Sequence, residues 1–326
     1  MIRIIFALII FITSIMICFI NVFAQQEPLF SQYYVNGIYV NPAMNAINDY
    51  TKVSMQYRNQ WTGNSYNYST YNAALELPIN NTNSSFGAIA TSDETRSALL
   101  NHTSFSLVYA YKFKLNGKWM AQTALQAGMG QNRLENDLIF EDQLSLEGPT
   151  AEHSAENFAS ENLVYPDFSS GIMLFSKDYY FGAAIHHLNR PNQAFRDSYA
   201  RRLERKYTFN GGAKFSKDKL GRVNQYYSPN FIVQIQGNSN SVSLGNYFKY
   251  HSLTAGLWYR WKDAMVIGLG LELDNFRFAY SADFNIGNNP ASALSHEVSI
   301  AILFTQKSKG HNQNYYNKAL SFCPTF

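Results

Sequence analysis

From residue 51 onward the chain alternates apolar and polar positions. Met265, Ile267, Leu269, Leu271 and Leu273 occupy every second place, with Val266, Gly268, Gly270 and Glu272 between them. One face is continuously apolar and the other small or polar, which is the two-residue period of a β-strand. Phe105, Leu107, Tyr109, Tyr111 and Phe113 form another such face against Ser104, Ser106, Val108 and Ala110. Phe231, Val233 and Ile235 alternate with Ile232, Gln234 and Gln236. Phe276, Phe278 and Tyr280 alternate with Arg277, Ala279 and Ser281, and Val298, Ile300, Ile302 and Phe304 with Ser299, Ala301 and Leu303. About fourteen such runs begin near residues 52, 66, 84, 102, 118, 167, 178, 206, 229, 240, 252, 264, 276 and 296. Their lengths bracket the ~9–11 residues that a tilted strand spends in a bilayer.

The connections differ by side. Those expected after the third, fifth, seventh and thirteenth strands are long, over 92–100, 131–166, 189–205 and 285–295. Those after the fourth, sixth, tenth and twelfth are tight, at Asn116-Gly117, Lys177-Asp178, Tyr250-His251-Ser252 and Asp274-Asn275. Asn-Gly is the strongest short hairpin signal. The eighth connection, 216–225, is long for its side, and the ninth and eleventh are short for theirs. Short turns at one end and long loops at the other is the outer-membrane arrangement. The competing architecture is a large soluble β-sandwich, which needs two-sided cores and more charge on its outer faces.

Composition separates the two. Aromatic residues make up 16% of the chain, with 23 Tyr and 24 Phe, while charged residues make up only 15%. An ordinary soluble domain carries about 25% charged residues. Mean hydropathy is nevertheless negative, −0.25, and no apolar run after Ala24 approaches the ~20 residues of a membrane helix. An apolar lipid face, a polar lumen and aromatic girdles combine these properties. The expected fold is all-β: a transmembrane outer-membrane β-barrel of about 14 antiparallel strands. Lysines and arginines are scattered rather than clustered, which argues against nucleic acid as a partner, and the expected barrel makes outer-membrane lipid one.

The ends read differently. Residues 1–24 are expected as a cleaved signal peptide: Arg3, an apolar stretch over 4–20, then Val22-Phe23-Ala24 before Gln25. Cys18 lies inside the apolar stretch behind bulky residues, so no lipid anchor is expected. Residues 25–50 form an N-terminal segment with neither a strand nor a helix period, expected as a lumen plug or as periplasmic packing. The barrel is expected over 51–304, followed by a C-terminal periplasmic tail over 305–326. That tail carries Lys307, Lys309, Lys318, several aromatics and Cys323, the one cysteine of the processed chain.

The N-terminal stretch Phe30-Ser31-Gln32-Tyr33, followed by Asn41-Pro42-Ala43, resembles the start of the PorP/SprF family of type IX secretion outer-membrane proteins. Tyr57-Arg58-Asn59-Gln60-Trp61 is similar to that family's first-strand YRNQW, and Pro166-Asp167-Phe168 with Gly171 to its PDF-x-x-G strand. His187-Leu188-Asn189 stands at its HLN corner, Tyr259-Arg260 after Trp258 at its YR strand, and Ser295-His296-Glu297 before its last strand. The ending Cys323-Pro324-Thr325-Phe326 resembles the family's CPxF. The family's turn glycine after Asn-Pro-Ala is absent here, where Met44-Asn45-Ala46 follow. The resemblance implies a fourteen-stranded barrel that works with type IX secretion. It implies partners among large secreted adhesins with a particular class of C-terminal domain, and among periplasmic motor and ring components, with a link to gliding motility.

Candidate chemistry is sparse. His186-His187 are expected on opposite strand faces and so cannot share a metal from one side. Glu135, Asp137, Glu141, Asp142 and Glu147 do not have EF-hand spacing. Gly268-Leu269-Gly270 is not a nucleotide fingerprint, and no G-x-S-x-G elbow occurs. No cofactor or metal is expected. Arg260, Arg277, Glu272 and Asp283 fall on lumen faces by alternation, as an ion-pair network or a selectivity filter. The candidate partner-binding residues are Phe30, Tyr33, Tyr34, Asn41 and Pro42 in the N-terminal segment, and Phe322, Pro324 and Phe326 in the tail. The leading expectation is a non-enzymatic barrel of the type IX secretion and gliding apparatus that retains a secreted adhesin or links to periplasmic components. The alternatives are a general pore for small solutes and an outer-membrane hydrolase.

Overall fold

Alternating side chains build one continuous wall. The computed structural model describes residues 27–62, 67–95, 100–134, 144–145, 148–149, 162–195, 201–216, 225–287 and 294–304. The expected signal peptide, the tail with Phe322, Cys323, Pro324 and Phe326, and most of the expected 131–166 loop lie outside them.

Fourteen strands form the wall: β1 Thr51–Thr62, β2 Tyr68–Pro78, β3 Ser84–Thr95, β4 Leu100–Lys114, β5 Met120–Leu134, β6 Asn162–Phe175 and β7 Tyr179–His186, then β8 Lys206–Ala213, β9 Gln225–Gln236, β10 Ser239–Tyr250, β11 Leu253–Arg260, β12 Ala264–Leu273, β13 Phe276–Asn285 and β14 Leu294–Phe304. Every strand pairs antiparallel with its neighbours in sequence. β14 returns to β1, with Thr51 opposite Phe304 and Arg58 opposite Glu297, and closes the barrel. Closure leaves no free edge, the condition for a sheet to stand in lipid.

The wall faces as alternation requires. Met265, Ile267 and Leu269 point outward, and Val266 is buried between them at 2% exposure. Leu125 at 66% and Met55 at 60% are typical of the lipid face. Both ends of the wall, Thr51 and Phe304, lie at the end that carries the short connections 79–83, 115–119, 176–178, 251–252 and 274–275. The short-turn end of such a barrel is periplasmic.

Three details differ from the sequence reading. β6 and β9 begin at Asn162 and Gln225 instead of near 167 and 229. Each misplaced start coincides with a proline that the wall accommodates. Pro166 stands beyond the last β6–β7 pair, and the β8–β9 ladder has no pair at Pro229, so neither position needs an N–H on that side. The expected long loop over 92–100 shrinks to residues 96–99, because Ser92 and Asp93 continue the ladder opposite Thr103 and His102. Polarity marks the end of the lipid belt there, not the end of the strand. Asn116-Gly117 is not a two-residue turn. Asn116 Oδ1 accepts the N–H groups of Lys118 and Trp119, both at 2.9 Å, and shapes a connection over 115–119.

The N-terminal segment runs inside this wall. From Leu29 to Ile47 every residue except Tyr39 is buried. It forms one helical turn, α1 Gly37–Val40, and a 3-10 turn over Pro42–Met44. Its apolar side chains join inward residues of the wall, among them Ile89, Val108, Phe175, Ile232, Trp258 and Val266, in one buried cluster.

Candidate functional site

The interface between the N-terminal segment and the lumen wall gathers most of the buried polar chemistry in the described residues. It has three parts.

The first lies toward the outer end of β1, β11, β13 and β14. Ser31 Oγ donates to Asp283 at 2.6 Å and accepts from Arg58 at 2.8 Å and Arg260 at 2.9 Å. Glu297 accepts the backbone N–H groups of Ser31 at 2.7 Å and Gln32 at 3.0 Å, and the side chains of Gln56 and Arg58. Gln32 also donates to Ser281 and to the Glu297 carbonyl. Arg58 pairs with Asp283 at 2.7 Å and with Glu297 at 3.3 Å, and all three side chains are nearly inaccessible. Two arginines and two carboxylates balance in charge, which is the condition for burying them.

The second part seats the Asn-Pro-Ala turn. Asn41 is fully buried. Its amide donates to the Ile172 carbonyl at 3.2 Å and to Asn210 at 3.3 Å, while its oxygen accepts the Ala43 N–H at 2.9 Å and caps the 3-10 turn. Pro42 opens that turn, where no N–H is required. Gly171 and Gly182 face Asn41, and a Cβ on either would collide with its amide group. Asn45 donates to Ser85 at 3.1 Å, and its carbonyl accepts from Gln122 at 2.7 Å. The Ala46 N–H reaches Glu76 at 2.7 Å, and Lys112 bonds the Ile47 carbonyl and Asp49. Ala46, in the Met44-Asn45-Ala46 stretch that follows Asn-Pro-Ala, adopts a left-handed φ of 47°.

The third part sits where β7 and β8 end at the outer side. His187 Nε2 meets Glu27 at 2.6 Å, and Nδ1 meets Asp167 at 3.0 Å. Lys206 also pairs with Glu27. Burial opposes charge on His187, but Glu27 and Asp167 outweigh it and raise its pKa to about 9. Burial likewise opposes charge on Glu27, yet His187 and Lys206 hold its carboxyl well below the usual range. His186 and His187 do not point to opposite faces as expected. His187 has left the strand with φ 58°, and both side chains are buried, His186 against the Val40 carbonyl.

Between these parts lies an aromatic stack. Tyr33 packs on Trp258 at 5.0 Å, and Tyr34 packs edge-on against Tyr180 and Tyr247 at 6.1 and 5.8 Å. Phe30 stands at a right angle to Tyr39 at 5.1 Å. Among the described residues, hydrogen bonds or ring contacts thus join the segment to most strands of the wall, and Ile232 of β9 and Val266 of β12 belong to the same buried cluster. A cavity of about 20 Å³ by Tyr50, Lys52, Glu76 and Arg277 and another of about 20 Å³ by Arg58, Arg260 and Asp283 flank the segment. Each has room for about one water molecule.

The structure therefore brings Phe30, Tyr33, Tyr34, Asn41 and Pro42 together as buried lumen contacts of the segment. It pairs Arg260 with Asp283 and Arg277 with Glu272, as alternation places them. The roles of Ser31, Gln32, Arg58 and Glu297 were missed. Arg58 and Glu297 carried the same signal as Arg260 and Asp283, a charge on the inward face of an alternating strand. Glu27 carried none.

The family model described as "Type IX secretion system membrane protein PorP/SprF" matches residues 22–302. No curated protein matches the chain. Among solved structures, the chain is similar to a Pseudomonas putida toluene transporter, TodX, with TM-score 0.47 and 9% identity, covering 82% of this chain and 93% of that one. A Pseudomonas aeruginosa FadL homologue gives 0.45 and 11%, covering 83% and 94%. A KdgM porin gives 0.37 and 8%, covering 78% and 99%.

Proposed function

The chain belongs to the PorP/SprF family of type IX secretion system membrane proteins, and from that premise we propose that it is a non-enzymatic component of the secretion and gliding apparatus. Its outer face holds a secreted surface adhesin or the C-terminal domain of one, and its periplasmic face joins components of the machinery. The observation that carries this reading is the occupied lumen. A barrel bonded from within to its own N-terminal segment offers partners its two ends rather than a bore.

Each end has a candidate surface. At the outer end, the connection 187–205 presents exposed Arg201, Arg202 and Arg205, a residue type that anchors protein interfaces. At the periplasmic end, the tail with Phe322, Pro324 and Phe326 is the proposed docking peptide. Phe30, Tyr33, Tyr34, Asn41 and Pro42 act indirectly, by fixing the segment that keeps the barrel filled.

The test is retention. The protein purified from outer membranes in mild detergent should carry a large surface protein with it, and deletion of its gene should strip that protein from the cell surface. Unchanged surface display after deletion would overturn the proposal. Sustained solute conductance by the intact barrel in a planar bilayer would favour the diffusion pore instead.

A further inference from the structure

The segment enters the barrel at the end opposite to the strand it leads into. Tyr50 precedes the first residue of β1 at the periplasmic end and lies against Arg277, 5.9 Å from the guanidinium to the ring. Glu27 lies at the outer side. Its partners are His187, one residue beyond the end of β7, and Lys206, the first residue of β8. These two residues form the base of the outer connection 187–205, which folds back on itself through the Asn192–Arg202 bridge. The base is tied to β6 by Leu188 N–H to the Phe168 carbonyl at 2.8 Å and Gln193 to the Tyr165 hydroxyl at 2.6 Å.

We propose that the chain is threaded outward through its own barrel, so that the processed N-terminus emerges at the outer mouth and is displayed on the cell surface. The end of the last strand, Phe304, meanwhile faces the periplasm. An even number of strands puts both ends of the wall on one side, and the internal segment carries the N-terminus to the other.

Chain length fixes the direction. The expected new terminus, Gln25, is two residues from Glu27, a reach of about 7 Å at most. The apolar band of such a barrel is about 25 Å tall, so the terminus cannot return to the periplasmic side. Nor can it leave through the wall, where β7 and β8 are hydrogen-bonded on both edges. An uncleaved leader would leave the apolar stretch over 4–20 stranded at the mouth, so threading requires that the leader be removed. The inference rests on the outer-membrane orientation and not on which partner is held.

Single cysteines introduced in a Cys323→Ser background test it on whole cells. The probe is a polyethylene-glycol maleimide too large to pass outer-membrane pores. Gln26→Cys should be labelled on intact cells to the same extent as Arg202→Cys in the outer connection. Asn116→Cys, in a short turn, should react only after the outer membrane is permeabilised. Heat-modifiable migration confirms that each variant is folded. Protection of Gln26→Cys on intact cells while Arg202→Cys reacts would overturn threading. Labelling of Asn116→Cys with protection of Arg202→Cys would overturn the orientation itself, and threading with it. Loss of the surface adhesin bears on neither outcome, so this test and the retention test fail independently.

Discussion

Glu297 on the last strand accepts the backbone N–H of Ser31 at 2.7 Å, across 266 positions of sequence. The same carboxylate stands opposite Arg58 at the β1–β14 junction, so one side chain ties the internal segment to the closing seam of the barrel. Glu297→Gln removes the charge that balances Arg58 and leaves a buried guanidinium short of a partner. Breaking a buried pair from one side costs about 3–5 kcal/mol, and the amide that remains offsets part of this. The variant should still form a barrel but lose its heat-modifiable migration at a clearly lower temperature. Arg58→Gln combined with Glu297→Gln should cost less than the two single changes added together. Additive losses would mean that the pair does not act as a unit.

The seat of Asn41 makes a geometric prediction. A Cβ at Gly171 falls on the Asn41 side-chain oxygen, and the Asn41 amide cannot turn away without losing Ile172 and Asn210. Gly171→Ala should destabilise by about 1–3 kcal/mol, the range for overfilling a packed site. In an Asn41→Gly background the collision is gone, and the same change should be nearly neutral. Thermal migration shifts for the four members of the cycle measure the coupling. A Gly171→Ala cost that is the same in both backgrounds would show that the slot does not exist.

Ala46 pays for a left-handed backbone that a glycine would adopt freely. Its N–H is held by Glu76 and its neighbour's carbonyl by Lys112, so the conformation is imposed from outside. Ala46→Gly should stabilise by about 0.5–1 kcal/mol, because the left-handed penalty for an L-residue exceeds the extra flexibility glycine brings to the unfolded chain. A raised transition temperature is the expected readout. A lowered one would mean that the buried methyl contributes more than the backbone costs.

How much of this was legible follows from period. The wall was, because lipid on one side and a polar lumen on the other force every second residue to the same face. Arg260 and Asp283 could be assigned to the lumen from alternation alone. The segment was legible only as two alternatives, a lumen plug or periplasmic packing, and its contacts were not. It has no repeat, and its partners lie on strands up to 267 residues away, such as Ser299 for Gln32, so no local pattern points to them. His187 misled for a related reason. The strand rule places it opposite His186, but its backbone turns left-handed just beyond β7 and swings the ring to Glu27. The Asn-Pro-Ala turn showed as a motif, whereas its seat between Gly171 and Gly182 needed the closed barrel to appear.

The outer anchor of the segment should depend on pH in a direction set by two groups. His187 has a folded-state pKa of about 9, above the ordinary 6.5, so its contribution is complete below about pH 6.5 and fades as pH rises through 9. Glu27 has a folded-state pKa below its ordinary 4.5, so its contribution is complete above that value and fades as pH falls. Asp167 and Lys206 complete the cluster, and His186 stands next to it with its ring 6.2 Å from that of His187. The anchor should therefore be tightest between about pH 5 and 6.5 and loosen on the alkaline side well before the wall opens. Reaction of a cysteine at Pro28 with a small maleimide in detergent measures this opening, and its rate should climb as pH passes from 7 to 9 beyond the reagent's own dependence on thiolate. In His187→Gln the excess should vanish, because the remaining amide does not titrate. An excess that survives in His187→Gln would assign the opening to another group.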